Sequence, residues 1–318
     1  MENNVEEILT SEPVLSADVV ASSRKRVNRY FVSAAVVLAI AIGFYLVYPY
    51  IHIDVIREFL NKDNHLFYWM LLAGFLAEIV AGSMGMGYGV ICTTILLILN
   101  IPPPIISASI HSAESFTSAA GTISHFKLGN VNKKLTKLLA VPAIAGAVIG
   151  AVALTYVGER YAKMTKPFIA AYTMYLGIRI LSNAFSKKNG NGQKNGVKKK
   201  TNITRLGFIG GFIDSFGGGG WGPLVTGTFI KNGRTPRYVI GSSTVAKFIL
   251  TVASAITFIF TVGIQHWNIV AGLLIGGIVT APFSAMLTSR LPVRKMFVVV
   301  GIVVIAMSLI TLFRAIFL

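Results

Sequence analysis

A few ionisable side chains stand inside long apolar stretches of the sequence, where a charge is costly and usually serves a function. The most informative are His111, Glu114, Asp214 and Lys247. A buried lysine can hold an anion, whereas histidine and carboxylate groups can take up a proton or bind a sodium ion. We therefore predict that Lys247 helps to bind an anion, and that His111, Glu114 and Asp214 couple this site to a proton or sodium gradient.

Structural roles for the same residues compete with this interpretation. Glu114 and Lys247 could form a salt bridge that holds two helices in register. Asp214 stands just before a glycine run and could cap backbone N–H groups there instead of binding a cation. Both alternatives remain open at the level of the sequence.

Hydroxyl side chains near the charged positions are candidate hydrogen-bond donors to the anion. They are Ser109, Ser112, Ser242, Ser243 and Thr244. Ser107, His111 and Glu114 follow a spacing of four and then three residues, which places them on one face of a helix.

Two glycine runs interrupt the apolar sequence, GSMGMGYG and GGFIDSFGGGGWGP. Non-helical backbone at membrane depth is tolerated only inside protein or beside a watery cavity. A half-helix that starts after such a run presents free N–H groups and the positive end of its dipole, which suits an anion. The glycines that we assign to this cradle are Gly85, Gly87, Gly89, Gly218, Gly219 and Gly220. Close helix packing is the alternative reason for glycine here.

The elements that must position these residues are membrane helices. The chain has 318 residues, of which 54% are hydrophobic and only 13% charged, and its mean hydropathy is +0.68. Repeated apolar runs are long enough to cross a bilayer. The net charge of +17 resides in the gaps between these runs. This distribution indicates membrane topology and excludes a nucleic-acid-binding face.

Charge placement predicts an all-α integral membrane protein with seven full spans and two re-entrant helical hairpins. A competing interpretation treats each interrupted segment as one tilted or broken span. The N-terminus is expected to be cytoplasmic, in a multi-pass protein of the cell membrane. The predicted parts are a cytoplasmic tail (1–29), a first span with an outer loop (30–65), repeat 1 (66–185), a basic cytoplasmic linker (186–203) and repeat 2 (204–318).

The two halves of the chain, Gly74 to Phe185 and Thr204 to Phe317, are related by an internal repeat. Positions in the first half match those in the second at an offset that places Glu114 on Lys247 and His111 on Thr244. Each copy is a hairpin plus three spans, so consecutive copies must have opposite orientations. Inverted repeats with broken helices are typical of secondary transporters.

At the glycine runs the sequence resembles the TauE/SafE sulfite exporter family, which includes transporters of the 4-toluene sulfonate uptake permease type. Further similarity lies in SASIHSAESFTSAAG and GSSTVAKFILTVASA. The resemblance implies a sulfur oxyanion or organosulfonate as substrate and export coupled to an ion gradient. The first repeat departs from the usual pattern of a glycine turn followed by proline, because Val90 stands where the second repeat has Pro223.

The expected function is a secondary transporter that exports sulfite, an organosulfonate or a similar small anion by alternating access. An anion channel or an uptake permease of the same fold is the alternative. A membrane enzyme is less favoured, because the HExxH and GxSxG patterns are absent from the sequence. We expect no cofactor, no metal and no nucleic-acid partner. The expected partners are the small anion, the lipid bilayer and a coupling proton or sodium ion, and the oligomeric state is left open.

Overall fold

A computed structural model describes residues 53–84, 86–185, 201–232, 234–263, 266–288 and 293–317. The chain forms two compact units, 1–59 and 60–318. In the first unit the described residues, 53–59, are helical. The predicted tail 1–29, residues 30–52 of the predicted first span and outer loop, and residues 186–200 of the predicted linker lie outside the described ranges.

Every regular element in the described ranges is a helix, as the composition predicts. The first half of the chain contains α1 (Ile53–Met84), α2 (Tyr88–Ile98), α3 (Pro103–Lys127), α4 (Lys133–Arg160) and α5 (Ala162–Phe185). Prolines begin α3, where the missing N–H of proline would be unpaired in any case. The side chain of Asn132 caps α4 by accepting a hydrogen bond from the Leu135 amide at 3.0 Å.

The second half begins with α6 (Ile203–Gly217), which Asn202 caps through the Arg205 amide. A helical segment runs from Trp221 through a π-helical turn (Gly222–Thr226) into α7 (Gly227–Lys231). The remaining helices are α8 (Pro236–Thr261), α9 (Trp267–Thr288) and α10 (Val293–Phe317).

The bounds of these helices repeat along the chain at the offset found in the sequence. α1 ends at Met84 and α6 at Gly217, and α3 begins at Pro103 while α8 begins at Pro236. α2 spans Tyr88–Ile98, and its counterpart is the helical segment 221–231. Both apolar segments that we predicted to be interrupted are therefore broken at their glycine turns.

Residues that correspond between the repeats also touch each other. Glu114 binds Lys247, and the hydroxyl oxygens of Ser118 and Thr251 lie 3.5 Å apart; the partners in each pair are separated by 133 residues. A residue can meet its own counterpart only near an axis that relates the two copies. These two contacts are those expected of two copies related by an approximate twofold axis between α3 and α8.

Glycine allows helices of opposite repeats to cross closely. A Cβ atom on Gly211 of α6 would lie 2.2 Å from the Ala143 carbonyl oxygen of α4. A Cβ atom on Gly74 of α1 would lie 2.4 Å from the Leu273 carbonyl oxygen of α9. Each repeat thus packs the first half of its broken helix on the other repeat, as small residues permit in membrane helices.

The predicted outer loop, at the end of the part 30–65, is helical where the structure describes it. α1 is helical from Ile53, and the backbone of His65 adopts a φ of 63° within it. This left-handed residue coincides with the point at which the apolar part of the segment begins, at Leu66. The sequence pattern located the start of the apolar part but not the helix that precedes it.

Within the described ranges, three helical segments are long and apolar enough to cross a membrane: Lys133–Gly158, Arg237–Thr261 and Phe297–Phe317. Shorter apolar helices cover His65–Ala81, Tyr88–Ile98 and Trp267–Thr280. Large apolar side chains point outward as well, as Phe260 is 85% exposed and Met164 is 74% exposed. Such a surface suits contact with lipid.

Candidate functional site

The glycine turns of the two repeats touch each other. A Cβ atom on Gly89 would lie 2.7 Å from Cα of Gly219, and one on Gly219 would lie 2.6 Å from the carbonyl carbon of Gly89. Gly219 and Gly220 also adopt φ values of 157° and 145°, which side-chain-bearing residues rarely adopt. Glycine at both turns is thus required for their direct contact.

The other predicted cradle glycines belong to the same turns. Gly87 is buried with a φ of 111°, and Gly218 is buried with a φ of 71°. Gly85 lies outside the described residues. The structure brings the remaining members of the predicted cradle together. The backbones of Gly89 and Gly219 are in direct contact, without an open space between them.

Side chains of the first repeat satisfy the backbone where α6 ends. The last carbonyl groups of a helix have no partner within it, so a helix that ends inside a membrane protein needs other donors. The pairs are Ser107 Oγ to Ser215 O (2.5 Å), His111 Nε2 to Asp214 O (3.2 Å), Thr93 Oγ1 to Gly218 O (2.9 Å) and Tyr172 Oη to Gly219 O (2.8 Å). The second glycine turn is therefore held by donors from α2, α3 and α5.

Asp214 caps the half-helix that follows the second turn. Its Oδ1 atom accepts a hydrogen bond from the Trp221 amide at 2.7 Å. The residue is fully buried, and its Oδ2 atom has no hydrogen-bond partner in the part of the chain that the structure describes. The capping contact considered from the sequence is present, and one carboxylate oxygen is left over.

Glu114 on α3 and Lys247 on α8 form an ion pair through Oε1 and Nζ. Their side chains are only 6% and 17% exposed, respectively. Glu78 of α1 interacts electrostatically with both groups, and Asp214 does so with Lys247. The single ammonium group thus stands among three carboxyl groups from α1, α3 and α6.

His111 is fully buried beside this pair. Its ring stacks on Phe258, with the ring centroids 6.2 Å apart and the planes inclined by 11°. Because Nε2 faces a carbonyl oxygen, which can only accept, Nε2 must carry the proton of the neutral ring. Nδ1 then presents a lone pair, and no partner for it occurs among the described residues.

His111, Glu114 and Asp214 form one compact cluster. The nitrogen or oxygen atoms that they offer lie within 4.8 Å of one another. This spacing is short enough for a shared cation or proton. Because the ammonium group of Lys247 already contacts Glu114, the cluster has a cation of its own.

Three of the predicted hydroxyl donors, all in α8, already have hydrogen-bond partners in the protein. Ser243 Oγ accepts from the Trp221 indole at 2.8 Å and lies 2.6 Å from Thr226 Oγ1. Ser242 Oγ accepts from the Asn132 amide at 2.8 Å, and Thr244 Oγ1 donates to the Ile240 carbonyl at 2.9 Å. Ser242 and Ser243 thus hold α8 to neighbouring segments, whereas the hydroxyl of Thr244 is bonded within α8 itself.

Ser109 and Ser112 line a small separate cavity with Phe258, Val262 and His266. The charged cluster therefore collects His111, Glu114, Asp214 and Lys247, whereas these two serines face a different space.

Sequence reasoning did not single out Thr93, Tyr172, Ser215 and Ser254, although all four belong to the polar network at the turn. Ser215 and Ser254 join the network through hydroxyl oxygens 2.5 Å apart. Polar residues within otherwise apolar helices were the available signal, since a broken helix needs donors for its last carbonyls.

Broken helices that meet between two structural repeats, with charged groups buried beside them, define a class of membrane protein, the membrane transporters. The chain belongs to the TauE/SafE sulfite exporter family, whose model, described as "Sulfite exporter TauE/SafE", matches residues 70–311. The predicted family is thereby confirmed.

Relatives with curated names are likewise called transporters. The chain is 35% identical to the "Probable membrane transporter protein YtnM" of Bacillus subtilis over 232 residues, which cover 72% of this chain and 76% of the relative. It is 23% identical to the "Probable membrane transporter protein YdhB" of the same organism over 228 residues, covering 70% and 91% of the two chains. No solved structure matches the chain.

Proposed function

We propose that this protein is a secondary transporter that exports sulfite, an organosulfonate or a similar small sulfur-containing anion. The observation that carries the proposal is the buried ammonium group of Lys247, which stands where the two repeats meet. A cation at membrane depth is costly without a partner, and a mobile anion is a partner that can arrive and leave. The description of the family supports sulfite as one such anion.

The repeat supports alternating access. Lys247 and Glu114 are counterparts in the two repeats and contact each other, so rocking one repeat against the other would expose the pair to each side in turn. The glycine turns, which contact each other without side chains, provide a second surface between the moving parts.

The proposed transporter has the membrane topology that the charge placement predicts. The chain has seven full spans and two re-entrant hairpins, with a cytoplasmic N-terminus, in the cell membrane. The paired breaks before Tyr88 and Trp221 support the hairpins, because each leaves a half-helix of similar length. The half-helices are too short to cross a bilayer alone.

Flux in proteoliposomes tests the function. The full chain should accumulate radiolabelled sulfite or an organosulfonate against its gradient when an ion gradient is imposed. Rapid passive conductance that does not saturate as the anion concentration rises would instead establish the channel alternative.

A binding assay tests the site. Sulfite, sulfoacetate, thiosulfate, sulfate and chloride are compared for their ability to raise the melting temperature of the purified protein. Lys247→Ala should abolish stabilisation by the preferred anion, whereas Lys137→Ala, at an exposed position of α4, should retain it. Equal stabilisation of both variants would remove Lys247 from the site.

A further inference from the structure

We propose that Glu114 is a built-in competitor of the substrate anion at Lys247, and that the anion binds as this carboxylate leaves the lysine and takes up a proton. The inference rests on the proposed function, because it concerns the same anion site. It assigns to Glu114 a role that a fixed structural salt bridge would not have.

Glu114 already occupies the ammonium group of Lys247. Lys247 Nζ donates to Glu114 Oε1, and both side chains are largely withdrawn from solvent. An anion that is to contact Nζ must therefore share the ammonium group with Glu114 or displace its carboxylate.

Three carboxyl groups and one histidine surround Lys247. The groups around Lys247 are Glu114 and His111 from α3, Glu78 from α1 and Asp214 from α6. If all three carboxyl groups were ionised with His111 neutral, one positive charge would face three negative charges. A further anion would be repelled in this low-dielectric surrounding unless a proton neutralised one carboxylate.

Neighbouring thiol and phenol groups do not change this balance. Tyr88 and Cys92 of α2 interact electrostatically with Glu114, and Tyr172 of α5 does so with Asp214. Each is neutral in its protonated form and so supplies no positive charge to offset an incoming anion.

Hydrogen bonding within the charged cluster is incomplete over the described ranges. His111 Nδ1 and Asp214 Oδ2 are buried acceptors, and the described residues contain no donor for either. A carboxyl group that has gained a proton is a donor, and Glu114 belongs to the same cluster within 4.8 Å. When Glu114 releases Lys247 and takes up a proton from solution, its single O–H can therefore serve one of these two acceptors.

Binding of the anion is thus linked to uptake of a proton by Glu114. No covalent bond changes, since the carboxylate of Glu114 gains one proton and the ammonium group exchanges one anionic partner for another. The anion and the proton then cross together, and an imposed pH gradient drives the anion towards the more alkaline side. Export by this route therefore requires the outside to be the more alkaline, whereas an acidic outside drives uptake.

Calorimetric titration of the purified full chain tests the linkage. The probe is methanesulfonate, because the anion of a strong acid carries the same charge throughout the working pH range. Titrations in two buffers of different ionisation enthalpy give the number of protons taken up per anion bound. We expect about one proton per anion near neutral pH, and affinity that rises as the pH falls.

The matched variants are Glu114→Gln and Glu58→Gln, the latter at an exposed position of α1. Glu114→Gln should bind methanesulfonate without proton uptake and roughly 10-fold more tightly near neutral pH, because the competing charge is gone. Glu58→Gln should behave as the unaltered protein. If Glu114→Gln does not fold, the proton count of the unaltered protein decides alone.

Binding of methanesulfonate without proton uptake, or unchanged pH dependence in Glu114→Gln, overturns the competitor role and leaves the anion site standing. If only sulfite binds, the same titration is made with sulfite after subtraction of its own proton exchange. Failure of both anions to bind at any pH overturns the proposed function and this inference with it.

Discussion

Glu114 and Lys247 occupy the same position in the two repeats, and they bind each other. Opposite charges thus stand at equivalent positions of the repeat, in contact with each other. The pair therefore holds α3 against α8, and it also makes the two repeats chemically unlike at the place where they meet.

Removing one member of this pair is expected to cost more than removing both. Lys247→Met alone leaves Glu114 without its partner among other buried carboxyl groups, and we expect it to lower the free energy of unfolding by about 3–5 kcal/mol. Glu114→Gln should cost less, because Glu78 and Asp214 still interact electrostatically with Lys247. The double variant should be closer to the unaltered protein, because no unpaired charge remains. Thermal unfolding in detergent measures the three variants, and strictly additive losses would show that the two groups do not act as a pair.

The contact between the glycine turns makes a second prediction. Gly219→Ala places a methyl group 2.6 Å from the Gly89 carbonyl carbon and should destabilise the protein by about 1–3 kcal/mol. The matched control is Gly227→Ala in α7, where the nearest atom to the added methyl group is the Gly222 carbonyl oxygen at 3.7 Å.

Melting temperature and flux are measured for both glycine variants. Gly219→Ala should lower both, and Gly227→Ala should change neither appreciably. Equal behaviour of the two variants would mean that the turns can separate without loss.

The parts of this structure that sequence alone predicted are those set by local pattern. Glycine runs located both helix breaks, and the repeat offset identified Glu114 and Lys247 as counterparts. Ser243 was harder to assign, because its hydroxyl is taken by the Trp221 indole, a contact that depends on how α8 meets the second turn. The donors Thr93 and Tyr172 were missed for the same reason, since they serve carbonyls more than forty residues away.

Membrane topology gives a third prediction. Cys92 is buried and is the only cysteine of the chain, so Cys92→Ser provides a background for single cysteine labels. Asn195→Cys in the basic linker should react with an impermeant maleimide only from the cytoplasmic side, because basic connections face the cytoplasm. Asn61→Cys, at an exposed position of α1, should react only from the outside. Labelling of both positions from the same side would contradict the proposed orientation.

Asp214 combines two roles that substitution can separate. Its Oδ1 atom caps the Trp221 amide, whereas Oδ2 adds charge to the buried cluster. Asp214→Ala leaves a buried amide without an acceptor, which costs about 1–3 kcal/mol. Asp214→Asn retains an acceptor for that amide but removes the negative charge and one acceptor from the cluster.

We therefore expect Asp214→Asn to melt near the unaltered protein and Asp214→Ala to melt well below it. In proteoliposomes, Asp214→Asn should still exchange the anion but respond less to an imposed pH gradient, because a protonated Glu114 loses one of its acceptors. A variant Asp214→Asn that matches the unaltered protein in both measurements would assign Asp214 to capping alone. If it melts as low as Asp214→Ala, the negative charge itself is needed for the fold, since the amide would still have its acceptor.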